Sequence, residues 1–134
     1  MRPVFFFMLI GLLLLSACTR KPRMLDYISL PPPGRVTAKW FPDKGILVQW
    51  KAPPHYIRAR IADYLVFMSD HSLVYTSIRD LPPPAKVVAR QDTACWLEVP
   101  AGAKDLFLHV RSRSMDGDLS LPSLPEIHLK IPSK

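Results

Sequence analysis

The sequence predicts an all-β fold, an antiparallel β-sandwich of about seven short strands. Beyond residue 30 the apolar residues recur with period two, the strand period. Clusters of proline, glycine, aspartate and serine interrupt that pattern at roughly the 8–12-residue spacing of sandwich strands. No window in the same region carries the 3.6-residue period of an amphipathic helix, and no tandem repeat is present.

Taken in order, Pro31-Pro32-Pro33 opens the folded part, because proline suits an extended entry or a sheet edge. Val36, Ala38 and Trp40 then alternate. Pro42-Asp43-Lys44-Gly45 is a turn, with proline fixing φ and glycine supplying a positive φ. Ile46, Val48 and Trp50 form the inner face of the next strand, which Pro53-Pro54 ends. Tyr64, Val66 and Met68 alternate up to Ser69-Asp70-His71-Ser72. A short strand is expected over Leu73 to Thr76, before the Pro82-Pro83-Pro84 break, and Val87-Val88 is a possible edge segment. Ala94 to Val99 is a strand ended by Pro100-Ala101-Gly102. Leu106, Leu108, Val110 and Ser112 alternate with Phe107, His109, Arg111 and Arg113, and Asp116-Gly117-Asp118 turns that strand back. Ile127, Leu129 and Ile131 make the last strand.

The first thirty residues follow a different rule. Arg2 precedes an apolar run from Val4 to Leu15, and small residues follow it, the layout of a secretory leader. The run is too short for a transmembrane helix, which needs about 20 apolar residues. Leu15-Ser16-Ala17-Cys18 resembles the bacterial lipobox. That resemblance implies cleavage before Cys18 and acylation of its sulfur and new amine; the other reading is an ordinary leader with a nearby cysteine. The expected division is a leader over 1–17, a lipidated tether over 18–30 and the sandwich over 31–134. Arg20, Lys21 and Arg23 would sit beside the lipid, each worth roughly 1 kcal/mol against an anionic leaflet, or would be incidental charges on a solvated linker. Thr19 stands where enteric lipoproteins retained in the inner membrane carry aspartate. Its presence implies the periplasmic face of the outer membrane, if the cell is Gram-negative.

Removing residues 1–17 from the 134 leaves 117, enough for one domain with a core of its own. The whole chain is +7, and Arg2 leaves with the leader, so the mature chain is +6. Export argues against nucleic acid as the partner and for an anionic surface or polymer. Cys95 has no disulfide partner once Cys18 is acylated, and is expected to act as a small buried hydrophobe.

The sandwich resembles fibronectin type III and, more broadly, immunoglobulin-like domains. Trp50-Lys51-Ala52-Pro53-Pro54 is similar to that family's strand B signature. Ile61 to Val66 resembles its strand C, Val99-Pro100-Ala101-Gly102 and Val110-Arg111-Ser112 the approach to strand F and the strand itself, and Ser120-Leu121-Pro122-Ser123 the loop before strand G. Leu106 departs from the pattern, standing where the family places a corner tyrosine. The strand at 94–99 stays open: alternation points Cys95, Leu97 and Val99 inward, whereas the family's spacing prefers Trp96 and Val99.

Nothing in the chain spells out catalysis. His55, His71, His109 and His128 lie in no zinc motif, no serine lies in a G-x-S-x-G elbow, and five glycines form no phosphate loop. Asp116-Gly117-Asp118 lacks the remaining ligands of a calcium loop. The expectation is therefore no enzyme, no cofactor and no metal site. A tight hairpin centred on Asp118 would set His109 opposite His128, Arg111 opposite Glu126 and Phe107 opposite Lys130, all facing solvent. Leu65 and Phe67 would join Phe107, His109, Arg111, His128 and Lys130 on that face. Such a face is either an interaction site or ordinary cross-strand packing. The functional expectation is a lipid-anchored, extracytoplasmic binding or scaffolding module in a bacterial envelope, held to the membrane through Cys18 and docking an envelope protein. The alternatives are a binder of anionic polysaccharide or lipid head groups, or an accessory subunit of an envelope enzyme.

Overall fold

The structure, a computed structural model, describes residues 20–133. The leader, Cys18 and Thr19 lie outside the described residues. Seven strands form: β1 (Gly34–Phe41), β2 (Gly45–Lys51), β3 (Ile61–Ser69), β4 (Lys86–Ala89), β5 (Ala94–Leu97), β6 (Asp105–Ser114) and β7 (Ile127–Lys130). One helical turn, α1 (His55–Arg58), lies between β2 and β3, and a 3-10 turn spans Ile78–Asp80. The strands make two antiparallel sheets, β1-β2-β5 and β4-β3-β6-β7. The all-β, two-sheet expectation holds. Leu73 to Thr76, expected as a strand, is a turn instead, with the Thr76 amide donating to the Leu73 carbonyl.

The core lies between the sheets. Ile46, Val48 and Trp50 of β2 face Tyr64 and Val66 of β3 and Leu106, Leu108 and Val110 of β6. The Trp50 and Tyr64 rings meet at 5.1 Å and 60°. Cys95 and Leu97 point inward and Trp96 outward, so alternation settles the open strand. Leu106 fills the corner position by packing in this core opposite Leu129, with no hydroxyl needed. Gly45 closes the first hairpin at φ +98°, and a Cβ there would collide with the Leu97 carbonyl of the neighbouring strand.

The β6–β7 connection corrects the expected register. A tight turn exists, but it centres on Asp116 rather than Asp118: Arg113 bridges Leu119, and the Ser114 amide donates to the Asp118 carbonyl at 2.8 Å. The chain then runs beside β6 without forming a strand. Pro122 has no N–H to give, and the Ser120 and Ser123 hydroxyls accept from the Ser112 and Val110 amides. Each irregular step slips the pairing, so β7 arrives with Phe107 opposite His128 and Asp105 opposite Lys130. His109 and His128 are not partners. The hairpin count fails on two grounds: it places the turn about two residues too late, and it assumes a regular ladder beyond it.

Residues 20–30, expected as a tether, pack against the sandwich. Met24 makes a parallel bridge to Leu119, with the Leu25 amide donating to the Leu119 carbonyl and the Leu119 amide to the Arg23 carbonyl. Leu30 is 1% exposed and belongs to the main core.

Candidate docking surfaces

The outer face of the four-stranded sheet carries most of the residues expected as a docking surface, and it is covered. Leu65, Phe67, His109 and Arg111 are each 5% exposed or less. Leu65 and Phe67 form a second apolar cluster with Leu73 and Leu119, closed by Ile78 and Leu81. The cover is the long β3–β4 connection on one side and the segments around Met24 and Leu119 on the other. Sequence alternation missed this because it assigns only one buried face. A signal was present: Tyr64-Leu65-Val66-Phe67-Met68 is apolar without a break, the mark of a strand buried on both faces.

Two ionisable groups lie under that cover. The Arg111 Nε–H donates to His109 Nε2 at 3.2 Å, and its Nη1 donates to the Ser120 carbonyl at 3.1 Å and reaches Met24 Sδ at 3.6 Å. Glu126 Oε2 stands 3.8 Å from His109 Nδ1 and accepts the Leu73 amide at 3.0 Å. His109 thus bridges a cation and a carboxylate: with the proton on Nδ1, its Nε2 lone pair is free to accept from Arg111. Phe67 stacks on the imidazole at 5.1 Å. Burial, then the adjacent Arg111 charge, pulls the His109 pKa down to about 3, and burial pulls Arg111 down to about 10. At neutral pH the histidine is neutral and the arginine charged. The trio ties the sheet to the β3–β4 connection through Glu126 and Leu73 and to the N-terminal segment through Met24.

Of the residues expected on the docking face, Phe107, His128 and Lys130 keep solvent access. Phe107 is half-buried and stacks on His128 at 4.4 Å and 6°. His128 Nε2 lies 2.7 Å from Asp105 Oδ1, and Lys130 is exposed opposite Asp105. Cys18, the expected lipidation site, is outside the described residues.

Sequence reasoning did not single out the outer face of the three-stranded sheet. There Leu47 pairs laterally with Lys39 on β1 and Trp96 on β5. The Trp96 ring meets Phe41 edge-on at 5.5 Å, and Lys39 Nζ sits 5.3 Å from the Phe41 centroid. Trp96 stays 44% exposed, Lys39 is exposed, and Phe41 and Leu47 are half-buried. Cys95, its neighbour, is buried, and burial raises its thiol pKa, which disfavours the reactive thiolate. Among the described residues no group of three His, Cys, Asp or Glu could hold a metal ion, and no helix is long and apolar enough to cross a membrane.

No protein-family model matches the chain. A search of curated proteins finds no match either. Solved structures do resemble it. The spore cortex lytic enzyme SleM of Clostridium perfringens superposes on 78% of this chain with a TM-score of 0.52 and 22% identity. The central fibronectin-III array of RIM-binding protein superposes on 78% with a TM-score of 0.51 and 18% identity. The match spans 30% of the first protein and 35% of the second. At such identities the likeness concerns the fold alone, a two-sheet antiparallel sandwich.

Proposed function

We propose that this chain is a fibronectin type III-like module, lipid-anchored through Cys18 on the extracytoplasmic side of a bacterial envelope, that binds an envelope protein and catalyses nothing itself. The three-plus-four strand order and the likeness to the RIM-binding protein array support the finer fold assignment. The lipobox-like Leu15-Ser16-Ala17-Cys18 supports the anchor.

The observation that carries the binding role is the Trp96 patch. A tryptophan nearly half-exposed, flanked by Phe41 and Leu47 and rimmed by Lys39, has the composition of an interface centre: an aromatic anchor with a cation beside it. The docking site therefore moves from the four-stranded face, where the sequence suggested it, to the uncovered three-stranded face.

Photo-crosslinking from position 96 in intact cells tests this. One discrete adduct is expected, lost in Phe41→Ala, with Trp96→Ala leaving the denaturation midpoint close to that of the parent protein. A label at Phe107 that captures the adduct while position 96 stays silent would return the site to the rim of the other sheet. The anchor has its own test. Radioactive fatty acid fed to the cells should label the parent protein and not Cys18→Ala, and an unlabelled parent protein removes the lipoprotein reading.

A further inference from the structure

The connectivity brings six strand termini to one end of the sandwich: the starts of β1, β3 and β5 and the ends of β2, β4 and β6. The N-terminal segment is fastened to that end. Arg20 Nη2 lies 2.8 Å from Asp118 Oδ2, and the Arg23 amide donates to Asp118 Oδ1 at 3.0 Å. Arg20, Arg23, Ser29, Arg60 and Met115 line one shallow cavity there. In the sequence only Thr19 separates Arg20 from Cys18.

Charge is distributed unevenly along the long axis. Lys21, Arg23, Arg35, Lys51, Arg60 and Arg90 stand at this end against the exposed acids Asp26, Asp92 and Asp116. Arg58 also lies there, turned back onto the Pro53 carbonyl, while Arg113 is neutralised by Asp63 and Asp118 by Arg20. At the opposite end Lys39, Lys44, Lys86, Lys104 and Lys130 stand against Asp43, Asp70, Glu98 and Asp105, nearly in balance. Among the described residues most of the positive excess thus lies at the end that carries Arg20. The same end displays Tyr27 at 67%, Ile28 at 89%, Tyr56 at 73% and Met115 at 59% exposure. Exposed tyrosine and aliphatic side chains among Lys and Arg are the composition that settles at a lipid–water interface.

We propose that this end lies against an anionic phospholipid surface, so that the module stands upright on the bilayer. The cations engage head-group phosphates, Tyr27, Ile28, Tyr56 and Met115 enter the head-group layer, and the Trp96 sheet is held perpendicular to the membrane and open to a partner. This orientation rests on the anchoring at Cys18 proposed above. A single short connection would otherwise leave the domain free to tumble. A clasped segment with a basic, partly apolar end restricts it, because each cation near the surface is drawn to the anionic leaflet.

The test uses the full-length protein purified from membranes and reconstituted into vesicles, whose intact mass reports acylation of Cys18 independently of orientation. An environment-sensitive fluorophore is attached at Met115→Cys in one preparation and at Lys44→Cys in another. Vesicles contain neutral phospholipid alone or about 30% anionic phospholipid, with a head-group spin label as quencher. Quenching at position 115 should exceed that at 44 several-fold in anionic vesicles, and should fall by at least half in neutral vesicles or in Arg23→Glu/Arg60→Glu. Equal quenching at both positions, or quenching at 115 insensitive to lipid charge and to the charge reversals, overturns the proposal. So does protection of the 115 label by a soluble sulfated polysaccharide with none from vesicles, which would make this end a glycan site. An unacylated mass with position 115 still selectively quenched would remove the anchor and leave the surface contact standing.

Discussion

His109 is the residue whose environment departs most from what its place in the strand pattern suggests. The sequence puts it on a solvent face, paired with His128; the structure puts it under a layer of chain, between Arg111 and Glu126. A depressed pKa follows from either arrangement, but the cause is burial and Arg111, not a second imidazole. The consequence for stability has a definite sign. The folded-state pKa of about 3 lies below the ordinary 6.5, so the unfolded chain takes the proton first as pH falls. The stabilisation is complete above pH 6.5 and is lost progressively below it, at up to about 1.4 kcal/mol per pH unit. Between pH 6.5 and 5, before most carboxylates titrate, denaturation midpoints should fall for the parent protein and stay nearly level for His109→Gln. A parallel decline in both would place the acid sensitivity elsewhere. His128 stacks on Phe107 at the surface and does not touch His109, so His128→Gln should leave the Arg111–His109–Glu126 contacts in place. Tyr64 makes a second test at this scale. Its hydroxyl, like the Trp50 indole nitrogen, is buried with no hydrogen-bond partner among the described residues. An unmet buried hydroxyl costs about 1–3 kcal/mol, so Tyr64→Phe should match or exceed the parent protein in a urea melt. A loss above 1 kcal/mol would show that the hydroxyl has a partner.

Among the elements, the segment from Arg20 to Leu30 changes most between sequence and structure. Its cations, Arg20, Lys21 and Arg23, look like part of a solvated leash. Its fixed points are invisible locally, because they lie on a turn some ninety residues away: Asp118 takes two bonds from it and Leu119 exchanges two more. Nothing in the spacing of Met24 or Leu25 announces that pairing. By contrast, the strand inner faces were legible wherever one face is buried, as at Ile46-Val48-Trp50 and Leu106-Leu108-Val110, because period two is set by the backbone. Legibility ended where a third layer was added, at Leu65, Phe67 and Arg111, and where serine hydroxyls replaced ladder carbonyls beside β6. The candidate site on the Trp96 face was not legible, because which side Trp96 takes depends on which neighbour alternation chooses; of the face the sequence did single out, Phe107, His128 and Lys130 keep solvent access. The clasp itself can be released. Asp118→Asn removes the charge that holds Arg20 and Arg23 but keeps an oxygen for the Arg23 amide. The Leu25 and Leu119 amides should then exchange with deuterium at least tenfold faster, while the β2 amides are unchanged. Unaltered exchange at Leu25 would mean that the backbone bridge holds without the charge.

For the whole molecule, stability rests on one core between two sheets, with Trp50 at its centre, 5% exposed against Tyr64. Trp50→Ala should cost about 3–5 kcal/mol, against roughly 5–15 kcal/mol for a domain of this size. Trp50→Phe, which keeps an aromatic and removes the unpartnered N–H, should retain a cooperative transition and be the milder change. Equal midpoints for parent and Trp50→Ala would show that the core is organised around other residues. The cluster beneath the β3–β4 connection is separate and smaller, so Leu73→Ala should loosen that connection and expose Phe67 without unfolding the sheets.

The bridge between Met24 and Leu119 also decides how the molecule carries load. A pull applied at residue 20 does not reach β1 first. It meets the Asp118 clasp and then the two parallel backbone bonds at Leu119, which lie across the direction of pull and must break together rather than one by one. Residue 133 follows β7 at the far end of the sandwich, so tension between residues 20 and 133 runs along the strands and through both clasp and sheet in series. A domain seated on a membrane and gripped beyond β7 would yield first at the clasp, paying out the chain that follows Arg20 until Leu30, seated in the core, took the load.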